Sequence, residues 1–234
     1  MPSLRLVTWS CNYGSLHTCL SELAEYSPDI VFLQRCALPK SLPLVRQFLT
    51  RRIGAKKGIA LGSRNTDFHL AQLEPRANSG PTALPAAVTG FVSFTALGIW
   101  AQGPNYVDDV MQTLDAYDDD LRAGMSVVMG HLDSGTNRKT AQSPSHGYER
   151  IMARLADLTL VSAYDSFNVV GHETHPTCPH LFRSSEPWHI DFCFVPARWV
   201  MSLVGVTVID NRKWTMRSDH LPLKVDLRFF PPRD

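Results

Sequence analysis

The stretch Val127-Val128-Met129-Gly130-His131-Leu132-Asp133-Ser134-Gly135 is the first place in the chain where chemistry suggests itself. An apolar run that reads as a buried strand ends at a glycine. It then presents an imidazole and a carboxylate two residues apart. Alternate residues of an extended segment point to the same face, so His131 and Asp133 face the same way. An imidazole that titrates near neutral pH, set beside a carboxylate at a strand end, suits proton transfer or metal ligation. A second histidine-rich stretch, HETHPTCPHLF, carries His172, His175 and His180, but its spacing matches no familiar zinc pattern. The five cysteines, Cys11, Cys19, Cys36, Cys178 and Cys193, are odd in number and contain no Cys-x-x-Cys pair. They read as free, buried thiols of a cytoplasmic protein rather than as a disulfide frame or a zinc site.

Elements must exist to position these residues. Residues 4–9 (LRLVTW) alternate and are β-rich, and 29–34 (DIVFLQ) form a continuous apolar strand of the kind covered on both faces. Between them, apolar residues at 16, 20 and 23 have helical spacing, and Pro28 stops that helix. Residues 42–52 (LPLVRQFLTRR) read as a short helix, 57–64 as a strand, and 74–87, rich in Pro, Gly and Ala, as a loop. One or two strands follow over 88–102, then a helix over 105–121 with a charged outer face. Residues 125–130 form a strand, 134–146 a polar loop, 148–160 a helix and 168–187 a long loop. Strands over 189–196 and 203–210 and a last strand after residue 220 complete the chain.

The chain has 234 residues, 44% of them apolar, and a net charge of +1. That composition suits one globular domain over residues 1–234, with two packed sheets and helices outside them. No apolar run approaches the roughly 20 residues of a membrane span, so no membrane partner is expected. The charge balance is compatible with nucleic acid but does not favour it. Arg51, Arg52, Lys56 and Lys57 read as a solvated basic loop.

Five short motifs occur in order at strand ends: TWSCN, FLQRC, MGHLDSG, HIDFCFVP and SDHLPL. Singly each is weak, but together they resemble the endonuclease/exonuclease/phosphatase superfamily, the DNase I-like fold, over about residues 4–228. The resemblance implies a four-layered α/β sandwich, two packed mixed β-sheets flanked by helices, whose strand ends converge on one Mg²⁺-dependent phosphoesterase site. The family's first motif ends in Trp-Asn, and this chain has Trp9-Ser10. The second supplies a metal-binding Glu, and Arg35 stands here. The third is Gly-Asp-x-Asn, and this chain has Gly130-His131-Leu132-Asp133. The Asp of the fourth motif, which orients the catalytic His, matches Asp191. The fifth, Ser-Asp-His, matches Ser218, Asp219 and His220.

One half of the implied site is therefore kept and the other exchanged. Mg²⁺ takes hard oxygen ligands. A divalent ion about 4 Å from a guanidinium meets repulsion of several kcal/mol at an effective dielectric of about 20. No cofactor is expected on that ground. The resemblance makes Asp191 and His220 an acid/base dyad. Arg35 and His131 are expected to stabilise a phosphate, carboxylate or enolate anion. Ser10, Asn12, Asp133, Trp188 and Asp219 are expected to contact substrate, and Trp9, Trp100 and Trp214 are further candidates for pocket walls. Three readings follow: a repurposed enzyme acting on a small-molecule substrate without Mg²⁺; a phosphodiesterase, phosphatase or nuclease with a shifted Mg²⁺ or Mn²⁺ on Asp133, Asp191 and Asp219; and a pseudoenzyme that binds a ligand or partner. His131 and Asp133 with Asp219 and His220 also form a donor set better suited to Zn, Mn or Fe than to Mg.

Overall fold

In a computed structural model, strand parity sets the layers. It describes residues 1–39, 48–55, 57–80, 82–103, 105–132, 145–168, 175–179 and 188–229. In β1 (Ser3–Ser10), Leu4 and Leu6 enter one core and Val7 and Trp9 another. In β2 (Ile30–Cys36), Ile30 and Phe32 likewise part from Val31 and Leu33. A strand with apolar residues at both parities has to be covered on both faces, which is why these segments read as continuous apolar runs.

The first sheet adds β3 (Phe48–Ile53), β4 (Lys57–Ser63), β11 (Leu203–Val208) and β12 (Leu223–Arg228), in the order β11-β12-β1-β2-β4-β3. The second holds β5 (His69–Gln72), β6 (Ala83–Thr89), β7 (Phe94–Trp100), β8 (Ser126–His131), β9 (Leu160–Ser162) and β10 (Asp191–Pro196), in the order β5-β6-β7-β8-β10-β9. Both sheets are mixed: β1 runs parallel to β2 and β7 parallel to β8, among antiparallel neighbours.

The sheets face each other across one apolar core. Leu4, Leu6, Ile30, Phe32 and Leu61 come from the first, and Leu84, Ala96, Val127, Met129 and Val195 from the second. The outer face of the second sheet, through Leu97, Ile99, Val128, Phe192 and Phe194, is covered by α2 (Tyr106–Ala116), α3 (Asp118–Arg122) and α4 (Ser145–Asp157). The outer face of the first is covered by α1 (Leu16–Leu23) and the short α6 (Arg212–Thr215), whose Trp214 is fully buried. These are the four layers of the expected sandwich. The short α5 (Ala163–Phe167) adds Ala163 and Tyr164 to the central core.

Four local expectations fail, the first being the solvated basic loop: Arg51 and Arg52 lie in β3 and Lys57 opens β4, with Arg51 Nη1 donating to the Ala83 carbonyl at 2.9 Å. The helix expected over 42–52 is strand β3 from Phe48 onward, and residues 42–47 lie outside the described ones. Its helical spacing is overruled by a full antiparallel register with β4, where Phe48 lies over Gly62, so close that a Cβ there would fall 2.0 Å from its ring. The loop expected over 74–87 gives way to β6 at Ala83. Pro85 is tolerated in β6 because it stands where the β5 pairing ends: its carbonyl accepts from the Leu73 N–H at 3.3 Å, and the ladder stops at the N–H it lacks. The helix expected over 148–160 ends at Asp157, and Leu160 opens β9. The polar loop expected over 134–146 lies outside the described residues up to 144, as does most of 168–187.

Gly130 holds β8 close to its parallel neighbour. Its φ is +137°, and a Cβ would lie 2.0 Å from the Ile99 carbonyl oxygen. No L side chain suits that backbone or that space. Gly130→Ala is expected to lower stability by about 3 kcal/mol or more, read as a reduced urea midpoint. An unchanged midpoint would mean that β8 has room this packing denies.

Candidate active site

The same parity delivers the polar residues. Ser10 and Gln34 follow Leu6 and Phe32 on the inner face of the first sheet, paired side by side in the β1–β2 ladder. His131 follows Val127 and Met129 on the inner face of the second, and Asp191 precedes Cys193 and Val195 there. His131 and Asp191 are direct cross-strand partners in the β8–β10 ladder. Opposed residues of an antiparallel pair hold their Cβ atoms about 5 Å apart, so the ladder alone brings imidazole and carboxylate together. His131 Nδ1 lies 3.8 Å from Asp191 Oδ1.

His220 arrives from the turn before β12. Its Nδ1 is 2.6 Å from Asp191 Oδ2, and its ring centroid is 4.8 Å from that of His131. That turn is tied down at several points. Trp9 Nε1 donates to the His220 carbonyl at 3.0 Å, and Ser218 Oγ accepts from the His220 backbone N–H at 3.0 Å while donating to the Ser10 carbonyl at 2.6 Å. The backbone N–H groups of Ile190 and Asp191 both donate to Thr177 Oγ1 at 3.0 Å. Asp191 Oδ1 is buried and accepts no hydrogen bond among the described residues.

Burial alone would push the Asp191 carboxyl up. The neighbouring His220 imidazole, then His131 and the Thr177 hydroxyl, outweigh it, and the carboxyl is held below its ordinary 3.8. Burial alone would push His220 down. Asp191, and after it Asp219, outweigh burial and the opposing Arg35 cation, so the imidazole is held above its ordinary 6.5.

Arg35 and its partners form a second group beside the first. The β2–β4 register shifts between Leu33 and Cys36, and Arg35 sits in this irregularity at φ +54°. A bulge re-aims a side chain. Arg35 Nη1 reaches both oxygens of Asp219, at 2.9 and 3.1 Å, and Nη2 donates to Asn12 Oδ1 at 2.7 Å. Asn12 and Tyr13 also have positive φ, 44° and 65°, and the exposed Tyr13 ring lies 5.8 Å from the Arg35 guanidinium carbon. Three side-chain-bearing residues in the left-handed region, clustered at two adjacent strand ends, mark backbone strain of order 1 kcal/mol or more each.

The structure thus gathers His131, Asp191 and His220 into one cluster and Arg35, Asn12 and Asp219 into another. Ser10 is fully buried, its Oγ without a hydrogen-bond partner among the described residues. Trp188 is half-buried and pairs its backbone with Cys178. Asp133 lies outside the described residues, as do His172 and His180. Trp9, Trp100 and Trp214 are core residues, Trp9 meeting Trp214 edge-on at 4.8 Å. The five cysteines are free and buried, and burial pushes the Cys193 thiol up to about 12. Thr177 and Tyr13 escape a reading of the sequence. Thr177 carries no signal in its Pro- and His-rich surroundings, whereas the place of Tyr13 next to Asn12 was a usable one.

Among the described residues, these donors are not the oxygen set that Mg²⁺ takes. It takes oxygen ligands in near-ideal octahedral geometry. Of the two described carboxylates, Asp219 is held by the Arg35 cation, and Asp191 is flanked by two imidazoles.

No family model and no curated protein matches the sequence. Solved structures do match over nearly the whole chain. A 3'-5' exonuclease from Neisseria meningitidis aligns with a TM-score of 0.69 at 19% identity, covering 97% of this chain and 100% of that one. An AP endonuclease from Archaeoglobus fulgidus aligns with a TM-score of 0.70 at 17% identity, over 95% of this chain and 98% of that one. An endonuclease/exonuclease/phosphatase from Beutenbergia cavernae aligns at 0.66 and 17% identity, over 97% and 72%. The fold is the DNase I-like sandwich of these proteins.

The ion pair predicts a stability profile bounded on both sides. The share from Asp191 is present above pH 3.8 and lost as the pH falls through the depressed folded value. The share from His220 is fully present below pH 6.5 and lost as the pH rises through the elevated folded value. In an NMR titration His220 is expected to titrate above 6.5, and in Asp191→Asn below it, because burial then acts with less opposition. An Asp191→Asn titration unchanged from wild type would refute the pairing.

Proposed function

We propose that the protein is an enzyme that uses the DNase I-like fold for general acid–base chemistry on a small anionic metabolite, without the Mg²⁺ of the fold family. The observation that carries this reading is the buried 2.6 Å bond between Asp191 and His220 beside a second imidazole. Asp191 holds Nδ1 of His220, which leaves Nε2 as the nitrogen that takes and returns a proton. The raised basicity of His220 keeps its proton on the imidazole toward neutral pH, so the resting pair gives that proton first and takes one back when the cycle closes. His131 and the outer edge of the Arg35 guanidinium supply donors for an oxyanion, and Asp219 and Asn12 keep that guanidinium in place. Ser10, Asn12, Asp133, Trp188 and Asp219 form the surrounding contacts in this reading, with the exposed Tyr13 at the mouth.

Phosphoester hydrolysis with a shifted Mg²⁺ or Mn²⁺ is the alternative, favoured by the nuclease and phosphatase names of the matching structures. Its ligand trio is Asp133, Asp191 and Asp219. Against it, Asp219 is engaged by Arg35 and Asp191 by His220.

Turnover is to be sought against a panel of small phosphoesters, esters and carboxylates, with duplex DNA as comparison, in Mg²⁺, in Mn²⁺ and in EDTA. The expectation is turnover of a small substrate that persists in EDTA and falls about 10²- to 10⁴-fold in both His220→Ala and Asp191→Ala. Activity abolished by EDTA, or indifferent to His220→Ala, would overturn the reading.

A further inference from the structure

We propose that His131, Asp191 and His220 are a binding site for a divalent transition ion of the Zn²⁺ and Co²⁺ class. The three are buried, and one ligand atom from each lies within 4.8 Å of the other two. Two imidazoles and one carboxylate are a borderline donor set, matched to first-row transition ions and mismatched to Mg²⁺.

The geometry is close to closure. Ligand atoms about 2.0–2.2 Å from a tetrahedral ion stand roughly 3.4 Å from one another. The His131 Nδ1 to Asp191 Oδ1 distance is 3.8 Å, a few tenths of an ångström beyond this. The 2.6 Å contact of His220 with Asp191 has to open, because the ion takes the place of the proton between them. The three ligand atoms, all within 4.8 Å of one another, draw in on an ion by rotation of His131, the last residue of its strand and the member with the most exposed side chain, at 11%.

Three further features favour an ion. Asp191 Oδ1 is a buried carboxylate oxygen that accepts no hydrogen bond among the described residues. Thr177 fixes the backbone on which that carboxylate stands, so its position does not depend on the ligand. The Arg35 cation, which would repel an ion, is already neutralised by both oxygens of Asp219.

The case for binding here does not rest on the metal-free reaction. An ion on His220 would remove its base, so the ion is a competitor of proton transfer. The closing experiment therefore reads binding rather than turnover. Full-length protein stripped with chelator is titrated with Co²⁺ and with Zn²⁺, and bound metal is counted by mass spectrometry after gel filtration. The expectation is one ion per chain, visible d–d absorption with Co²⁺, and no displacement by excess Mg²⁺. His131→Ala, checked for a wild-type circular dichroism spectrum, is expected to weaken Zn²⁺ binding roughly 100-fold or more, since even the loss of an outer partner of a ligand costs about 10- to 100-fold. His69→Ala, on the surface strand β5, serves as control and is expected to bind as wild type does. Absence of stoichiometric Co²⁺ or Zn²⁺ in the folded wild type would overturn the proposal, as would undiminished binding in folded His131→Ala. EDTA-abolished turnover would overturn the metal-free function and leave this site standing, so the two fail separately.

Discussion

The buried hydrogen bond between Asp191 and His220 is the contact on which the polar end of the sandwich depends. A carboxylate with no exposure to solvent is tolerable only where its charge is met. His220 meets it on one side and His131 faces it on the other. Removing His220 would leave a charge in an apolar enclosure whose floor is the central core. The ring of supports around the pair follows from that need. Thr177 holds the Asp191 backbone, Ser218 and Trp9 hold the His220 turn, and Gly130 lets β8 lie close against β7 at the end that carries His131.

Arg35 obeys the same rule with the signs reversed. A guanidinium at the end of a buried strand has to find an anion, and the strand is bent to supply one. The register shift and the left-handed backbone of Arg35 aim it at Asp219, and Asn12, itself left-handed, takes its other nitrogen. The two exchanges are therefore linked. An Arg at this position consumes the carboxylate of Asp219, and a His at 131 adds a nitrogen donor to Asp191. Together they set two imidazoles about Asp191 and a cation on Asp219.

Much of the scaffold was legible in the residues. The continuous apolar run within 29–34 required a strand covered on both faces, and the order of five strand-end motifs pointed to the sandwich. Pairings that depend on distant partners were not legible. Phe48 to Arg52 have helical spacing, and only β4, with Gly62 under the Phe48 ring, makes them a strand. Pro85 reads as a breaker until its place at the end of the β5 pairing shows that it closes that ladder rather than interrupting it.

For the site, the sequence by itself determined which groups are available: two imidazoles, two described carboxylates and a guanidinium at strand ends, with two of the residue types altered from the pattern they resemble. Strand parity placed His131 and Asp133 on a common face, whereas His131 stands opposite Asp191 only through the β8–β10 register. Only the tertiary structure decided their partnerships. His220 takes Asp191, Asp219 goes to Arg35, and Thr177, from a stretch with no signal, holds the carboxylate's backbone. The reason is physical. Residue type fixes charge and donor chemistry locally, whereas pairing depends on distances across 29 residues in one case and 184 in another, which are set by how the two sheets pack.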